Sequence, residues 1–284
     1  MTDPTRPSAG ALLGEGRRGL AAAPFRPPPR EAALLLARTL GVSEASLMAH
    51  PERPVAAAAA ARFRELLARR LEGEPVAYLL GVREFYGRSF RVDRRVLIPR
   101  PETELLVETA LSLPLPGTPS ILDVGTGSGA IALTLALELP AARVTATDLS
   151  PAALAVAAGN ARALEAPVGL VAADLAAGLL LERFDLVASN PPYVGRHEAA
   201  GMSREILDFE PERALFADDG GRRVIRRLLA GLDGLGRGAW LLLEIGAGQA
   251  AAVEKLARRS PFDLVEIRLD LAGIPRVALL RRAR

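Results

Sequence analysis

Cysteine is missing from the 284 residues, so neither a disulfide framework nor a thiolate metal site can form. The two histidines, His50 and His197, lie far apart in sequence, and a zinc enzyme is not expected. Lysine occurs once, as Lys255. No glycine-rich turn is followed by it, which excludes the phosphate loop of a nucleotide hydrolase. Long apolar runs are also lacking: Ile131 to Leu139 is among the longest, well short of the roughly 20 residues that cross a bilayer. With no signal-peptide pattern at the start, a cytoplasmic protein without membrane association is expected.

What is present describes an ordinary folded chain. Half of the residues are hydrophobic and 24% are charged, proportions that bury a core and rule out a disordered or fibrous protein. The length suits one or two domains, and two is the working count. The net charge of +3 is carried almost wholly by arginine. These arginines are scattered among glutamates rather than gathered in a block, so they read as a solvated surface, and direct nucleic-acid binding is not required.

Residues 1 to about 75 read as helical. Glu31-Ala-Ala-Leu-Leu-Leu-Ala-Arg and Ala61-Arg-Phe-Arg-Glu-Leu-Leu-Ala-Arg-Arg carry apolar side chains at helical spacing. Pro27-Pro-Pro and His50-Pro51 break the region into pieces. From Arg83 to Ile98 two stretches rich in β-branched and aromatic residues flank Gly87, which predicts a β-hairpin joining two domains. Beyond Pro99, short apolar runs alternate with helical patterns, as in an α/β sheet built from βαβ units. The expected strands are Ser120 to Val124, Arg143 to Asp148, Val168 to Ala172, Phe184 to Ser189, Ala239 to Ile245, Asp263 to Leu269 and Arg276 to Leu280. The last two are separated only by Asp270 to Pro275, so an antiparallel pair should close one edge.

Ile121-Leu-Asp-Val-Gly-Thr-Gly-Ser-Gly-Ala reads as a strand running through a glycine turn into a helix. Gly125, Gly127 and Gly129 let a ligand lie against bare backbone, with Thr126 and Ser128 between them. One strand later, Asp148 can accept hydrogen bonds from the two hydroxyls of a ribose. The same Gly125-to-Ala130 spacing satisfies the dinucleotide fingerprint, and a tight turn without ligand is the bland reading. Asp174, after the third strand, is a candidate for an adenine amino group or a loop cap.

Phe184-Asp-Leu-Val-Ala-Ser-Asn-Pro-Pro-Tyr193 ends a buried strand in a polar residue, two prolines and an aromatic ring. An amide nitrogen is a poor nucleophile because its lone pair is delocalised, so a catalyst must orient it. The Asn190 side-chain oxygen and the Pro191 carbonyl can each accept one N–H of such a nitrogen. Tyr193 can stack on the flat group, and Pro191 with Pro192 holds the acceptors in place beforehand. A structural reading in which Asn190 caps a turn stands beside this one.

Asn190-Pro-Pro-Tyr after Asp123-Val-Gly-Thr-Gly-Ser-Gly resembles class I methyltransferases of amino-group nitrogens. Narrower resemblance lies in Glu74-Pro-Val-Ala-Tyr-Leu-Leu-Gly, Arg83-Glu-Phe-Tyr-Gly, Val96-Leu-Ile-Pro-Arg-Pro-Glu-Thr-Glu104, Phe209-Glu-Pro-Glu-Arg-Ala-Leu215 and Glu244-Ile-Gly. These are similar to the HemK/PrmC family of release-factor glutamine methyltransferases, over nearly the whole chain. The resemblance implies a class I methyltransferase, Rossmann-like α/β fold: a seven-stranded, mostly parallel sheet with an antiparallel edge strand. A helical domain (1–80) that recognises the release factor and a linking hairpin (81–100) would precede a catalytic domain (101–284).

It further implies methyl transfer from S-adenosyl-L-methionine to the glutamine of the Gly-Gly-Gln tripeptide in class I peptide chain release factors, with S-adenosyl-L-homocysteine as product and a monomeric enzyme. Gly125, Thr126, Gly127, Ser128, Gly129, Asp148, Asp174, Leu175 and Asn190 would contact the cofactor. Asn190, Pro191, Pro192 and Tyr193 would hold the glutamine. Some relatives carry an aromatic residue where Leu175 stands. The rivals are a methyltransferase of adenine N6 or guanine N2 in nucleic acid, a nicotinamide-dependent oxidoreductase, and a binding scaffold with an unused pocket.

Overall fold

The computed structural model describes residues 6–283; what was expected of residues 1–5 and of Arg284 lies outside the described residues. Five helices come first: α1 (Ala9–Ala22), α2 (Arg30–Leu40), α3 (Glu44–Ala49), α4 (Ala57–Leu71) and α5 (Val76–Leu80). The Ser8 and Ser43 hydroxyls accept from the amides of Ala11 and Ser46, capping α1 and α3. Gly41, at φ 65°, ends α2 in the left-handed conformation that glycine adopts without strain. Pro27, Pro28, Pro29 and Pro51 fall between helices, as their missing donors require.

Strands β1 (Val82–Phe85) and β2 (Arg88–Arg91) form a two-stranded hairpin. Tyr86 and Gly87 make its turn with φ of 51° and 69°, the positive values that match the twist of the flanking strands. The second limb was expected to run to Ile98; it stops at Arg91. Val92, Val96 and Ile98 are buried outside any strand: Val96 N bonds back to Asp93 O in a turn, and Ile98 N donates to Glu210.

A 3₁₀ turn (Pro101–Thr103) then opens α6 (Glu104–Leu111). The chain continues through β3 (Ser120–Val124), α7 (Ala130–Glu138), β4 (Arg143–Asp148), α8 (Pro151–Leu164), β5 (Val168–Ala172) and β6 (Leu186–Ser189). After it come α9 (Arg204–Phe209), α10 (Glu212–Leu215), α11 (Arg223–Gly231), β7 (Trp240–Glu244), α12 (Ala250–Ala257), β8 (Phe262–Leu269) and β9 (Pro275–Arg282). All seven expected sheet strands are present, with ends within two residues.

The chain divides into two compact units. One is Met1–Val82 with Met202–Phe209; the other is Arg83–Gly201 with Glu210–Arg284. In the helical unit, Gly16 of α1 sits where a Cβ would lie 2.9 Å from both Ala32 and Phe63, so glycine lets the three helices meet. Arg70, 2% exposed, bonds Glu31 at 2.5 Å and Glu205 at 3.4 Å and lies over the Phe25 ring. Two carboxylates and a ring face offset the cost of burying that cation, and they tie α9 to this unit.

The larger unit is built on one sheet of order β5-β4-β3-β6-β7-β9-β8. Neighbours from β5 through β7 are parallel, whereas β9 lies antiparallel to both β7 and β8, closing that edge. Successive residues of β3 serve opposite faces: Ile121 packs into one core layer, Leu122 and Val124 into the other. Chain order runs outward from β3 through β4 to β5, then returns to β6 on the other side. Ligands in open α/β sheets bind beyond the strand ends at such a reversal.

Candidate active site

At the carboxyl end of β3 the amides of Gly125 and Thr126 both donate to Thr147 O at 2.9 Å, fastening the turn to β4. Gly125 and Gly127, at φ 77° and 56°, would present a Cβ to open space. That space is a cavity of about 600 Å³, within the roughly 300–1,000 Å³ typical of small-molecule sites. Gly129 does another job: at φ 87° it caps α7, and a Cβ there would press on Leu133 of the same helix at 3.0 Å and meet Ala157 of α8 at 3.4 Å. Thr126 and Ser128 are buried; Thr126 Oγ1 donates to Asp123, and Ser128 O accepts from Asn160.

Asp148 ends β4 on the cavity wall. Its Oδ2 accepts from Gly127 N at 2.9 Å and its Oδ1 from Ser150 N at 2.8 Å. Each carboxylate oxygen can accept twice, so both keep capacity for a vicinal diol. Asp174 and Leu175 also line the cavity. Asp174 pairs with Arg227 at 2.7 Å, and Leu175 takes φ 57°, its carbonyl held by the Thr147 hydroxyl.

Asn190 follows β6 directly and reaches the same cavity, as does Pro192. Pro191 is buried beside them. Asn190 Nδ2 donates to Thr103 Oγ1 at 3.1 Å. The Tyr193 hydroxyl donates to Glu244 Oε1 at 3.3 Å, and its carbonyl accepts from Gln249 Nε2 at 2.8 Å. Burial raises the Tyr193 pKa above the ordinary phenol value, and the Glu244 charge adds to the rise. His197 stands on an exposed turn beyond this segment.

Two family models match: PrmC N-terminal domain over residues 11–81 and Methyltransferase small domain over residues 101–220. The release factor glutamine methyltransferase of Bordetella pertussis is 49% identical over 254 residues, spanning 88% of this chain and 94% of its own. That of Koribacter versatilis is 46% identical over 261 residues, spanning 90% and 92%. The chain belongs to the release factor glutamine methyltransferase family. A solved methyltransferase from Pyrococcus furiosus, 18% identical, shares the fold over 76% of this chain and 98% of its own at TM-score 0.54.

In this family member four residues outside the expected set complete the surroundings. Asp123 is fully buried beneath the glycine turn; its Oδ2 accepts from Thr126 Oγ1 at 2.7 Å and Ala132 N at 3.2 Å, and its Oδ1 has no partner. Burial lifts its acid to about 7 against those two hydrogen bonds, and the nearby Asp148 charge lifts it further. Glu244 is raised to about 7 by burial, opposed by hydrogen bonding with Thr103 and Tyr193. Glu210, also buried, accepts from Ile98 N and from Arg100. Thr103 is the fourth. An acid at or near the end of an apolar strand was the available signal for Asp123 and Glu244.

Proposed function

We propose that this protein transfers the methyl group of S-adenosyl-L-methionine to the side-chain amide nitrogen, N5, of the glutamine in the Gly-Gly-Gln tripeptide of class I peptide chain release factors. S-adenosyl-L-homocysteine is the other product. One observation carries the reading. The glycine turn, Asp148 and Asn190 share one cavity at the sheet's reversal point, in a chain whose relatives are named for this reaction.

The residues fit the cofactor. Gly125 and Gly127 leave room against the backbone, the Asp148 carboxylate is held with acceptor capacity to spare for ribose hydroxyls, and Leu175 offers an apolar wall. Thr126, Ser128 and Gly129 shape the turn, and Asp174 completes the far side. When bound, the sulfonium supplies a methyl group already activated for transfer, so no side chain is needed to generate an electrophile.

The protein's task is to aim the amide. Asn190 Oδ1 and the Pro191 carbonyl each accept one N–H, drawing the nitrogen lone pair out of conjugation as charge grows there. Tyr193 flanks the flat group, and the Pro191-Pro192 pair fixes the acceptors before substrate arrives. Positioning of this kind is worth roughly 7 to 11 kcal/mol of a barrier. The proton leaves after transfer, which asks for no histidine base.

Residues 1–80 grip the release factor, 81–100 link, and 101–284 carry out transfer; the enzyme works as a cytoplasmic monomer. No helix among the described residues is long and apolar enough to cross a membrane. The two relatives named above carry the glutamine acceptor in their names, which supports this reading over the alternative acceptors, adenine N6 or guanine N2. The decisive assay is transfer of labelled methyl to a purified release factor, compared with a Gln→Ala version of its tripeptide. Equal labelling of the two would reject the assignment.

A further inference from the structure

Arg100 to Glu104 has no task in the methyl transfer proposed above, yet its Thr103 is buried against Asn190. The Thr103 hydroxyl accepts from Asn190 Nδ2 at 3.1 Å and stands beside Glu244, whose pKa it lowers. Glu244, 1% exposed at the end of β7, accepts from the Tyr193 hydroxyl through Oε1 at 3.3 Å, while its Oε2 has no partner. Four side chains from three separate stretches of sequence thus form one buried polar chain that ends on a carboxylate.

The direction of that chain decides which end of the Asn190 amide meets the substrate. An ionised carboxylate accepts only. Thr103 therefore turns its single proton toward Glu244 and can only accept from Asn190. This holds Nδ2 toward Thr103 and leaves Oδ1 for a substrate N–H. If the Thr103 proton were free, it could bond Oδ1 instead, and Asn190 would offer donors to a donor.

We infer that Thr103 and Glu244 are positioning residues that lock the Asn190 amide with its oxygen toward the acceptor nitrogen, an inference resting on the role proposed for Asn190. Besides Thr103 and Tyr193, the groups facing Glu244 are Arg276 on β9, paired with Asp270 at 2.9 Å, and Glu102 in the 3₁₀ turn. Arg100, paired with Glu210, acts on Tyr193. Burial chiefly sets the Glu244 acid at about 7, with Arg276 lowering it and Glu102 raising it. Once protonated, Glu244 can donate to Thr103, and the direction of the chain is lost.

The test compares wild type, Thr103→Val, Thr103→Ser and Glu244→Gln by steady-state methyl transfer to a release factor, by calorimetry of cofactor binding, and by NMR of the Asn190 Nδ2 protons in cofactor-free protein. Thr103→Val keeps the shape without the hydroxyl; kcat should fall roughly ten- to hundredfold, with KM and cofactor Kd within about threefold. Thr103→Ser should recover most of the loss. Wild-type kcat should fall on the acid side of about pH 7, a limb absent from Glu244→Gln. The Nδ2 protons should exchange with solvent slowly in wild type and Thr103→Ser, and faster in Thr103→Val.

Equal exchange in all three proteins would overturn the positioning role whatever the substrate. Full kcat in Thr103→Val, or a serine variant no better than valine, would overturn it too. A wild type that leaves the release factor unlabelled while the exchange pattern holds would defeat the substrate assignment and support the lock.

Discussion

Asp123→Asn should change how stability depends on pH more than it changes stability itself. Asp123 lies next to the end of β3 with no exposed surface, and one carboxylate oxygen has no partner. Burial therefore favours the neutral acid, carrying its pKa from 3.8 to about 7 despite the Thr126 and Ala132 hydrogen bonds. The folded pKa exceeds the unfolded one, so between them the folded state binds more protons. Stability from this group is complete below the unfolded pKa and is lost as pH rises through the folded pKa. Each pH unit between the two values is worth about 1.36 kcal/mol. The span from 3.8 to about 7 thus amounts to about 4 kcal/mol.

Guanidinium unfolding of wild type and Asp123→Asn, from about pH 4 to about pH 8, measures this. Trp240 is the only tryptophan and is buried in β7, so its fluorescence reports the unit that holds Asp123. Other titrating groups, Glu244 included, are common to both proteins and cancel in the difference. Wild type minus variant should fall by about 4 kcal/mol across the range. A difference constant to within about 1 kcal/mol would show that Asp123 ionises as it does in water, and the account of its burial would be wrong.

Asn190→Ala should cut kcat roughly a hundredfold or more, as loss of a transition-state acceptor does, with cofactor Kd nearly unchanged by calorimetry; near-normal turnover would remove Asn190 from its role. Asp148→Ala should weaken cofactor binding roughly ten- to a hundredfold, the worth of a charge-assisted hydrogen bond, and an unchanged Kd would reject that contact. Gly221→Ala places a Cβ against the Tyr193 carbonyl at φ 79°, so the melting temperature and kcat should fall together; alanine where φ is positive costs more than about 1 kcal/mol, and an unshifted melting curve would contradict the geometry.

The strands were legible because their burial is simple. β3, β6 and β7 are covered on both faces, and sequences such as Trp240–Glu244 are accordingly apolar almost throughout. The same signal misled at Val92, Val96 and Ile98, whose apolar spacing reflects burial from a turn beyond the strand's end at Arg91. Membership of α9 in the helical unit could not be read at all. Its anchor is a contact between Glu205 and Arg70, 135 positions apart, and nothing local in Arg204–Phe209 marks it.

The candidate site was partly legible for a reason that reaches beyond its glycine spacing. β4, β3, β6 and β7 are consecutive in the sheet, and each places a polar residue at or next to its carboxyl end: Asp148, Asp123, Asn190 and Glu244. Burying such groups against apolar strands costs free energy, so each must either find partners or face a cavity. Asp148 and Asn190 do both, and spacing alone drew attention to them. Asp123 and Glu244 each keep one oxygen without a partner in the interior. Their polarity was as visible in the sequence as that of the other two; what hid Glu244 was that its neighbours, Tyr193 and Thr103, come from stretches that only the fold brings near, whereas Asp123 is bonded within its own turn, to Thr126 and Ala132.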